Sequence, residues 1–260
     1  MTATQAFAGV MTQTPMPAPV QEPEYFNGFY LGVGAGLAKP NAKVQYDYDI
    51  EESISDDIDD FDLLAKSNDS GKYGFGASIF AGFGKVFDST TYLGAEIFGN
   101  YFEPDMTLSS STFITSDEET VSASLKTTIE NDYSYGILAR AGYLFSPKTM
   151  FYVLFGVELS EFDVKSAATF DGFDETVGHG ADEELTTVNK FDTTKIGYLP
   201  GVGMETVIDD QITLKMQYVY AFYSSFKHTF NYSNNIEKTY TTKVDPSRGY
   251  LSLMLSWYVG

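Results

Sequence analysis

Residues 28–37, GFYLGVGAGL, place an apolar side chain at every second position, from Phe29 to Leu37. The positions between them carry Tyr30 and three glycines. Alternation with a period of two is typical of a β-strand whose two faces meet different surroundings. The stretch therefore predicts a strand with one apolar face and one face of very small side-chain volume.

Seven further segments of the chain repeat this alternation. They lie at 72–84, 91–101, 133–145, 151–160, 195–205, 212–222 and 251–259. Each has the roughly nine to eleven residues that a tilted strand needs to cross a bilayer. A transmembrane helix is excluded, because the chain contains no run of about eighteen apolar residues.

The composition of the second face distinguishes a membrane barrel from a water-soluble one. In a lipocalin-like barrel the apolar face points inward, and the outer face is polar enough to meet water. Here the second face is mostly Gly and Ser with isolated charges, which would solvate an exterior poorly. Small residues suit the narrow interior of a membrane barrel, so we expect the apolar face to meet lipid.

The connections between segments alternate between short and long. Short ones lie at Asp88-Ser89, at 146–148 and at Asp209-Asp210, and the long ones lie at about 44–71, 102–132, 162–192 and 223–247. Alternation continues into 121–125 and 239–244, so strands are expected to extend beyond the membrane as hairpins. The pattern predicts an all-β, eight-stranded antiparallel up-and-down transmembrane β-barrel with short periplasmic turns and long extracellular loops.

The net charge of −20 lies entirely within the four long connections. It argues against nucleic acid as a partner. The densest acidic run comprises Asp56, Asp57, Asp59, Asp60 and Asp62. It is interpreted either as a solvated acidic surface loop or as a weak site for divalent cations, since it lacks the Gly and ligand spacing of a calcium loop.

The first residues differ from the rest in composition. Residues 1–8 resemble the end of a secretory signal peptide, with the small-x-small pattern at Ala6–Ala8. A plain disordered tail is the alternative. Residues 9–26 are rich in Pro and predict an extended periplasmic tail, so the barrel is assigned to residues 27–260.

Charged residues on the inward face form the strongest candidate site. They are Glu96, Arg140, Glu158, Lys195, Glu205 and Lys215. Unpaired charges in a confined lumen would be costly, so we expect Arg140 and Lys215 to neutralise the carboxylates, with Lys195 serving the third. Such an interior charge network would either plug the barrel or gate a conduction path.

The opening GFYLGVGAG, the Gly-rich second strand and the closing LSLMLSWYVG resemble small outer-membrane barrels of the opacity-protein and OmpA transmembrane-domain type. The resemblance implies a place in the bacterial outer membrane, with outer-membrane lipid and lipopolysaccharide around the wall. It further implies roles in envelope integrity, adhesion to a host-cell or matrix receptor, or weak conduction. Leu253, Leu255 and Trp257 resemble the assembly signal that the barrel-assembly machinery reads.

Motifs for catalysis, cofactors and metals are weak. His179 and His228 are the only histidines, no Cys is present, and no motif ties Ser224 or Ser225 to His228. We therefore expect no catalytic residue, cofactor or metal site. The expected function is a non-enzymatic surface protein acting in adhesion and envelope integrity. The alternatives are a gated small-solute channel and, more remotely, a lipid-modifying enzyme or protease.

Overall fold

The computed structural model describes residues 25–51, 63–103, 106–115, 120–171, 185–233 and 237–259. These residues form twelve β-strands. In chain order they are β1 (Gly28–Glu51), β2 (Leu63–Ser70), β3 (Gly74–Phe87), β4 (Thr91–Phe102), β5 (Met106–Thr115), β6 (Thr120–Glu130), β7 (Tyr133–Ser146), β8 (Thr149–Asp171), β9 (Leu185–Asp209), β10 (Ile212–Tyr223), β11 (Phe226–Ser233) and β12 (Glu237–Val259). None of the described ranges contains a helix long and apolar enough to cross a membrane.

Eight of these strands close into an antiparallel ring. Its order is β1, β3, β4, β7, β8, β9, β10 and β12, and β12 pairs with β1 to close it. The other four lengthen the ring at one end, because β2 pairs with β1, β6 with β5 and β8, and β11 with β12. The predicted eight-stranded barrel and its hairpin extensions are confirmed.

The register of the ring sets its tilt. One row of paired residues passes through Leu31, Ala81, Ile97, Ile137, Val157, Tyr198, Phe222, Ser247 and Asn41. The row leaves β1 at Leu31 and returns to it ten residues later, at Asn41. With eight strands this stagger corresponds to a tilt of about 40°. A barrel of this size has an interior that side chains can fill.

The short connections gather at one end, the turn end, opposite the loop end where the extensions lie. Asp88 and Ser89 both have positive φ, 49° and 59°. The amide of Thr90 donates to the carbonyl of Phe87 over 3.2 Å. Two central residues with positive φ make the tight hairpin turn whose twist matches the flanking strands. The predicted turn at Asp88-Ser89 is therefore confirmed.

β9 carries an outward-facing proline, Pro200, in the middle of the closed ring. Pairing with β8 continues through Phe155 and Pro200. On the other side, pairing with β10 stops at Gly201 and resumes at Tyr198. Proline has no N–H to donate and is normally confined to edge strands. The ring accommodates the proline at the cost of two residue pairs between β9 and β10.

The outer wall of the ring is apolar. Its exposed side chains include Phe29, Leu31, Val33, Ile79, Ile97, Ile137, Val153, Phe155, Val202, Leu251 and Leu253. Aromatic residues border this band, with Tyr73, Tyr101 and Tyr133 at the loop end and Tyr143 and Trp257 at the turn end. An apolar band between two aromatic girdles is the lipid-facing surface of a membrane barrel.

The pattern inverts beyond the loop-end girdle. In β1, outward Leu37 is exposed, whereas inward Ala42 and Val44 are buried and outward Lys43 is exposed. Inward apolar residues from five strands meet there in a cluster that we call the apolar plug. Its members are Ala42, Val44, Ile129, Phe162, Val164, Phe226 and Val244. The lumen is thus filled by apolar side chains above the membrane band.

Candidate functional site

Four inward charged residues form one group near the turn end, which we call the lower ion cluster: Glu96, Arg140, Glu205 and Lys215. They come from β4, β7, β9 and β10, and all are buried. Arg140 donates to Glu205, and its Nη1 lies 3.6 Å from Glu96 Oε2. Lys215 Nζ lies 2.8 Å from the same Glu96 oxygen. Each carboxylate in this narrow space therefore faces at least one cation.

Tyrosine side chains surround the lower ion cluster. The Arg140 guanidinium lies 4.1 Å from the Tyr152 ring centroid and 5.3 Å from that of Tyr92. Tyr30 donates to Glu96 over 3.1 Å, and Tyr258 donates to Glu205 over 3.2 Å. Hydroxyls and π faces thus replace part of the water that these charges lose on burial. The cluster and its tyrosines close the lumen at this level.

A second group lies near the loop end, the upper ion cluster of Glu158 and Arg248. Arg248 Nη2 lies 2.7 Å from Glu158 Oε1. Tyr223 donates to the same oxygen, and Arg248 also donates to Asn131. The guanidinium stacks 3.7 Å from the ring centroid of Phe102. This arrangement closes the lumen a second time.

The cation beside Glu158 is Arg248 and not Lys195, which the sequence predicts for the third carboxylate. Lys195 Nζ lies 5.4 Å from the ring centroid of Phe226, at the apolar plug, and Arg248 stands beside Glu158 instead. Arg248 lies between the predicted long connection, about 223–247, and the predicted eighth strand, 251–259, so the sequence prediction gives it no face. Carrying the period of two back from Ser252 through Tyr250 places Arg248 on the inward face, which is the signal that identifies it.

A small cavity separates the two ion clusters. Its volume is about 30 Å³, and Ser78, Asn100, Gln217 and Glu158 are among its lining residues. Ser78 donates to Asn100 over 2.7 Å. Space of this size holds about two water molecules and lies between polar groups that can bind them. In the described residues, the two ion clusters and the apolar plug fill the lumen at three levels in series.

A family described as the outer membrane protein beta-barrel domain matches residues 6–246. The chain belongs to this family. It is therefore an outer-membrane β-barrel of the bacterial envelope, with the turn end periplasmic and the loop end extracellular.

Several solved structures resemble this outer-membrane β-barrel. The attachment invasion locus protein Ail of Yersinia pestis is 11% identical, over 86% of this chain and 99% of Ail, with a TM-score of 0.29. Neisserial surface protein A is 15% identical over 87% and 99%, with a TM-score of 0.31. OprG of Pseudomonas aeruginosa is 13% identical over 91% and 99%, with a TM-score of 0.44. No curated protein matches the chain.

The predicted assembly-signal residues of this outer-membrane β-barrel lie on its outer wall. Leu253, Leu255 and Trp257 are exposed on the lipid-facing side of β12, where Trp257 Nε1 donates to Gln211 over 3.3 Å. The acidic run 56–62 lies outside the described residues. Their roles in assembly and in cation binding stay predictions.

The histidines of this outer-membrane β-barrel fall in different regions. His228 stacks on Phe191, with ring centroids 4.2 Å apart and planes 10° from parallel. His179 lies outside the described residues. Among the residues that the structure describes, no group of three or more His, Cys, Asp or Glu is placed to hold a metal ion.

Proposed function

We propose that this outer-membrane β-barrel is a non-enzymatic surface protein, acting in adhesion and envelope integrity through its extracellular hairpins. The observation that carries the proposal is the length of four ring strands. β1, β8, β9 and β12 have 24, 23, 25 and 23 residues. A membrane crossing needs only about nine to eleven residues, so half or more of each strand is available outside the membrane.

The extensions are built as a continuous surface. β8 and β9 stay paired from the wall as far as Phe170 and Leu185, and β1 and β12 stay paired as far as Glu51 and Glu237. The apolar plug gives these sheets an inner side that is buried, which leaves the outer side for a partner. Exposed hairpins on a rigid scaffold are a common location for binding surfaces.

The filled lumen favours a function as a surface protein over a function as a small-solute channel. Conduction would require the buried ion pairs of both clusters and the apolar plug to move aside together. Separating a buried pair leaves uncompensated charge, which costs about 3–5 kcal/mol. Two such layers in series with the apolar plug make a constitutive open path expensive.

The test is a binding screen with the full chain folded in outer-membrane vesicles. Segments 52–62 and 172–184, which connect β1 to β2 and β8 to β9 in the sequence, are each replaced by short Gly-Ser linkers. We expect at least a tenfold loss of binding to host cells or matrix proteins, on the order of 1.4 kcal/mol. Substituting the five aspartates of 56–62 by Asn, at unchanged length, separates the effect of charge from that of shape.

Two outcomes contradict the proposal. Unchanged binding in every tip variant would remove the hairpins from the function. Steady conductance through the wild-type barrel, combined with no detectable cell or matrix binding, would instead favour the channel.

A further inference from the structure

A short segment at the start of the described chain crosses the turn end of the barrel. Residues 25–27 precede β1, and we call them the N-terminal strap. Lys148, in the turn between β7 and β8, places its Nζ 5.6 Å from the ring centroid of Tyr25. In the closed ring, β7 and β8 lie on the side opposite β1. The strap therefore reaches from one side of the turn-end mouth to the other.

The ring of Phe26 fills this mouth. It belongs to the same buried apolar cluster as Val86 and Met150, which lie at the turn ends of β3 and β8. The Phe26 ring meets the ring of Tyr258 edge to face, with centroids 6.2 Å apart and planes at 81°. Tyr258 in turn donates to Glu205 of the lower ion cluster over 3.2 Å. Phe26 thus stands between the lower ion cluster and the periplasm.

The N-terminal strap is attached separately from the ring. The pairing of β1 with β3 begins at Gly28, opposite Gly84, so the strap lies before the first pair of this ladder. The amide of Val86 donates to the Asn27 side-chain oxygen over 2.7 Å and ties the strap to β3. Gly28 has a φ of 107°, which residues with a Cβ rarely adopt, and it makes the bend from β1 into the mouth. Rotation at Gly28 would release the strap while every strand pair of the ring stays intact.

We propose that the N-terminal strap is a detachable seal that controls the entry of periplasmic water to the lower ion cluster. The attraction between buried charges depends on the low dielectric constant around them, and water that enters weakens it. The apolar plug and the upper ion cluster separate the lower ion cluster from the outside of the cell. On the periplasmic side Phe26 takes that role. The docked strap keeps the cluster dry, and the released strap lets water reach Glu205.

The experiment uses two thiol reporters at different depths in the lumen, because the chain contains no Cys. Ser256→Cys lies at the lower ion cluster, since buried Ser256 stands opposite Thr213, which donates to Glu205. Ser252→Cys lies beyond that cluster, because buried Ser252 lines the small cavity. Each reporter is placed in the full-length protein, folded in phosphatidylcholine vesicles. The rate of modification by methyl methanethiosulfonate, a small neutral thiol reagent, is measured by mass spectrometry.

Two variants weaken the seal in different ways. Phe26→Ala removes the ring, and Gly28→Ala keeps the ring but strains the bend. Phe87→Ala is the matched control, since Phe87 is an exposed phenylalanine at the turn end of β3. We expect both strap variants to speed modification of the Ser256→Cys reporter by at least about tenfold, and the control to leave it within about twofold. The Ser252→Cys reporter should stay within about twofold in all three, because the lower ion cluster still lies in the path.

Two further measurements separate sealing from general stability. Phe26→Leu refills the mouth and should bring modification of the Ser256→Cys reporter back to within about threefold of the wild-type rate. Heat-modifiable migration verifies that each variant is folded. If Phe26→Ala does not fold, Gly28→Ala tests the seal with the Phe26 ring still present.

Three results would overturn the proposal. One is modification of the Ser256→Cys reporter at the same rate with and without the Phe26 ring, which would mean that the strap excludes no water. Another is equal acceleration of both reporters in the strap variants, which would reflect loosening of the whole barrel. The third is an unchanged rate in Gly28→Ala, because the strap would then be a fixed part of the wall.

Discussion

Arg140 shows how single residues control the interior of this barrel. Its guanidinium is fully buried, reaches carboxylates from two other strands, and lies against tyrosine rings. A buried ion pair adds little net stability when formed, since desolvation offsets the attraction. Removing one member is costly, because the other charge stays in the lumen without its partner. Residues of the ion clusters are therefore more sensitive to substitution than any exposed acid.

Arg140→Ala is expected to lower the free energy of unfolding by about 3–5 kcal/mol, because Glu205 would lose its cation. Asp→Asn substitutions in 56–62 are expected to change it by about 0–1 kcal/mol each, as for exposed pairs. The measurement is urea unfolding of the refolded protein, followed by loss of the compact band in unboiled gels. An unchanged midpoint for Arg140→Ala would contradict the inward placement of this face.

Substitutions of Arg248 and Lys195 provide a test and a matched control for the upper ion cluster. Arg248→Met is expected to cost about 3–5 kcal/mol, because it strands Glu158. Lys195→Met should cost less than about 1 kcal/mol, since Lys195 is partly exposed at the apolar plug. The double variant Arg248→Met/Glu158→Gln should recover part of the loss in the same unfolding assay. A larger effect for Lys195 would mean that Glu158 is served by the other cation.

Sequence reasoning located five of the six charged residues that the structure brings together in the lumen. Period-two alternation determines which face a residue occupies, so Glu96, Arg140 and Lys215 could be assigned from strand phase alone. The partners of these charges could not be assigned in the same way. Which charges pair depends on the stagger of the ring, which brings β4 and β10 together across the lumen. The prediction omits Arg248 because the alternating segment begins at Leu251, whereas β12 begins at Glu237.

At the scale of the strands, the membrane edge explains why alternation in the sequence does not mark where the strands end. Within the band, the outside is lipid and the apolar residues point outward. Beyond it, the outside is water and the apolar residues of β1 point inward, as Ala42 and Val44 do. The apolar phase thus shifts by one position between Leu37 and Ala42. Because of this shift, regular alternation in the sequence stops at Leu37, although β1 continues to Glu51.

Glycines give a test of the inner face of these strands. A Cβ on Gly136 of β7 would lie 2.1 Å from the carbonyl oxygen of Val157, a contact with backbone that cannot move aside cheaply. A Cβ on outward Gly99 of β4 would meet nothing closer than Ile79 at 3.7 Å. We expect Gly136→Ala to cost about 1–3 kcal/mol. Gly99→Ala should be neutral or stabilise by up to about 1 kcal/mol.

Urea midpoints of the two glycine variants, measured side by side, check this expectation. Both substitutions add one methyl group, and they lie on neighbouring strands. The change in intrinsic strand propensity is therefore the same, and the two variants differ in whether the methyl group faces the lumen or the outside. Equal effects of the two would mean that the close approach of strands inside the barrel is relieved by small shifts of the wall.

At the scale of the whole molecule, the barrel is a sequence of layers along the membrane normal. The turn end is closed by Phe26, which is fully buried and packs near Tyr258 with ring centroids 6.2 Å apart. The lower ion cluster, the small cavity, the upper ion cluster and the apolar plug follow toward the outside. Each layer uses side chains from strands far apart in the sequence, so the closed lumen is a property of the assembled ring.

This layering predicts how the protein behaves in a planar bilayer. We expect no steady conductance from the wild type, since its eight-stranded lumen is occupied by side chains. Glu158→Ala/Arg248→Ala empties the upper ion cluster, yet it should stay electrically silent because the lower ion cluster and the apolar plug remain in series with it. A large porin inserted into the same bilayer serves as the positive control. Steady openings of the double variant alone would show that the upper ion cluster is the sole barrier, and openings of the wild type would show that the layers do not seal the lumen.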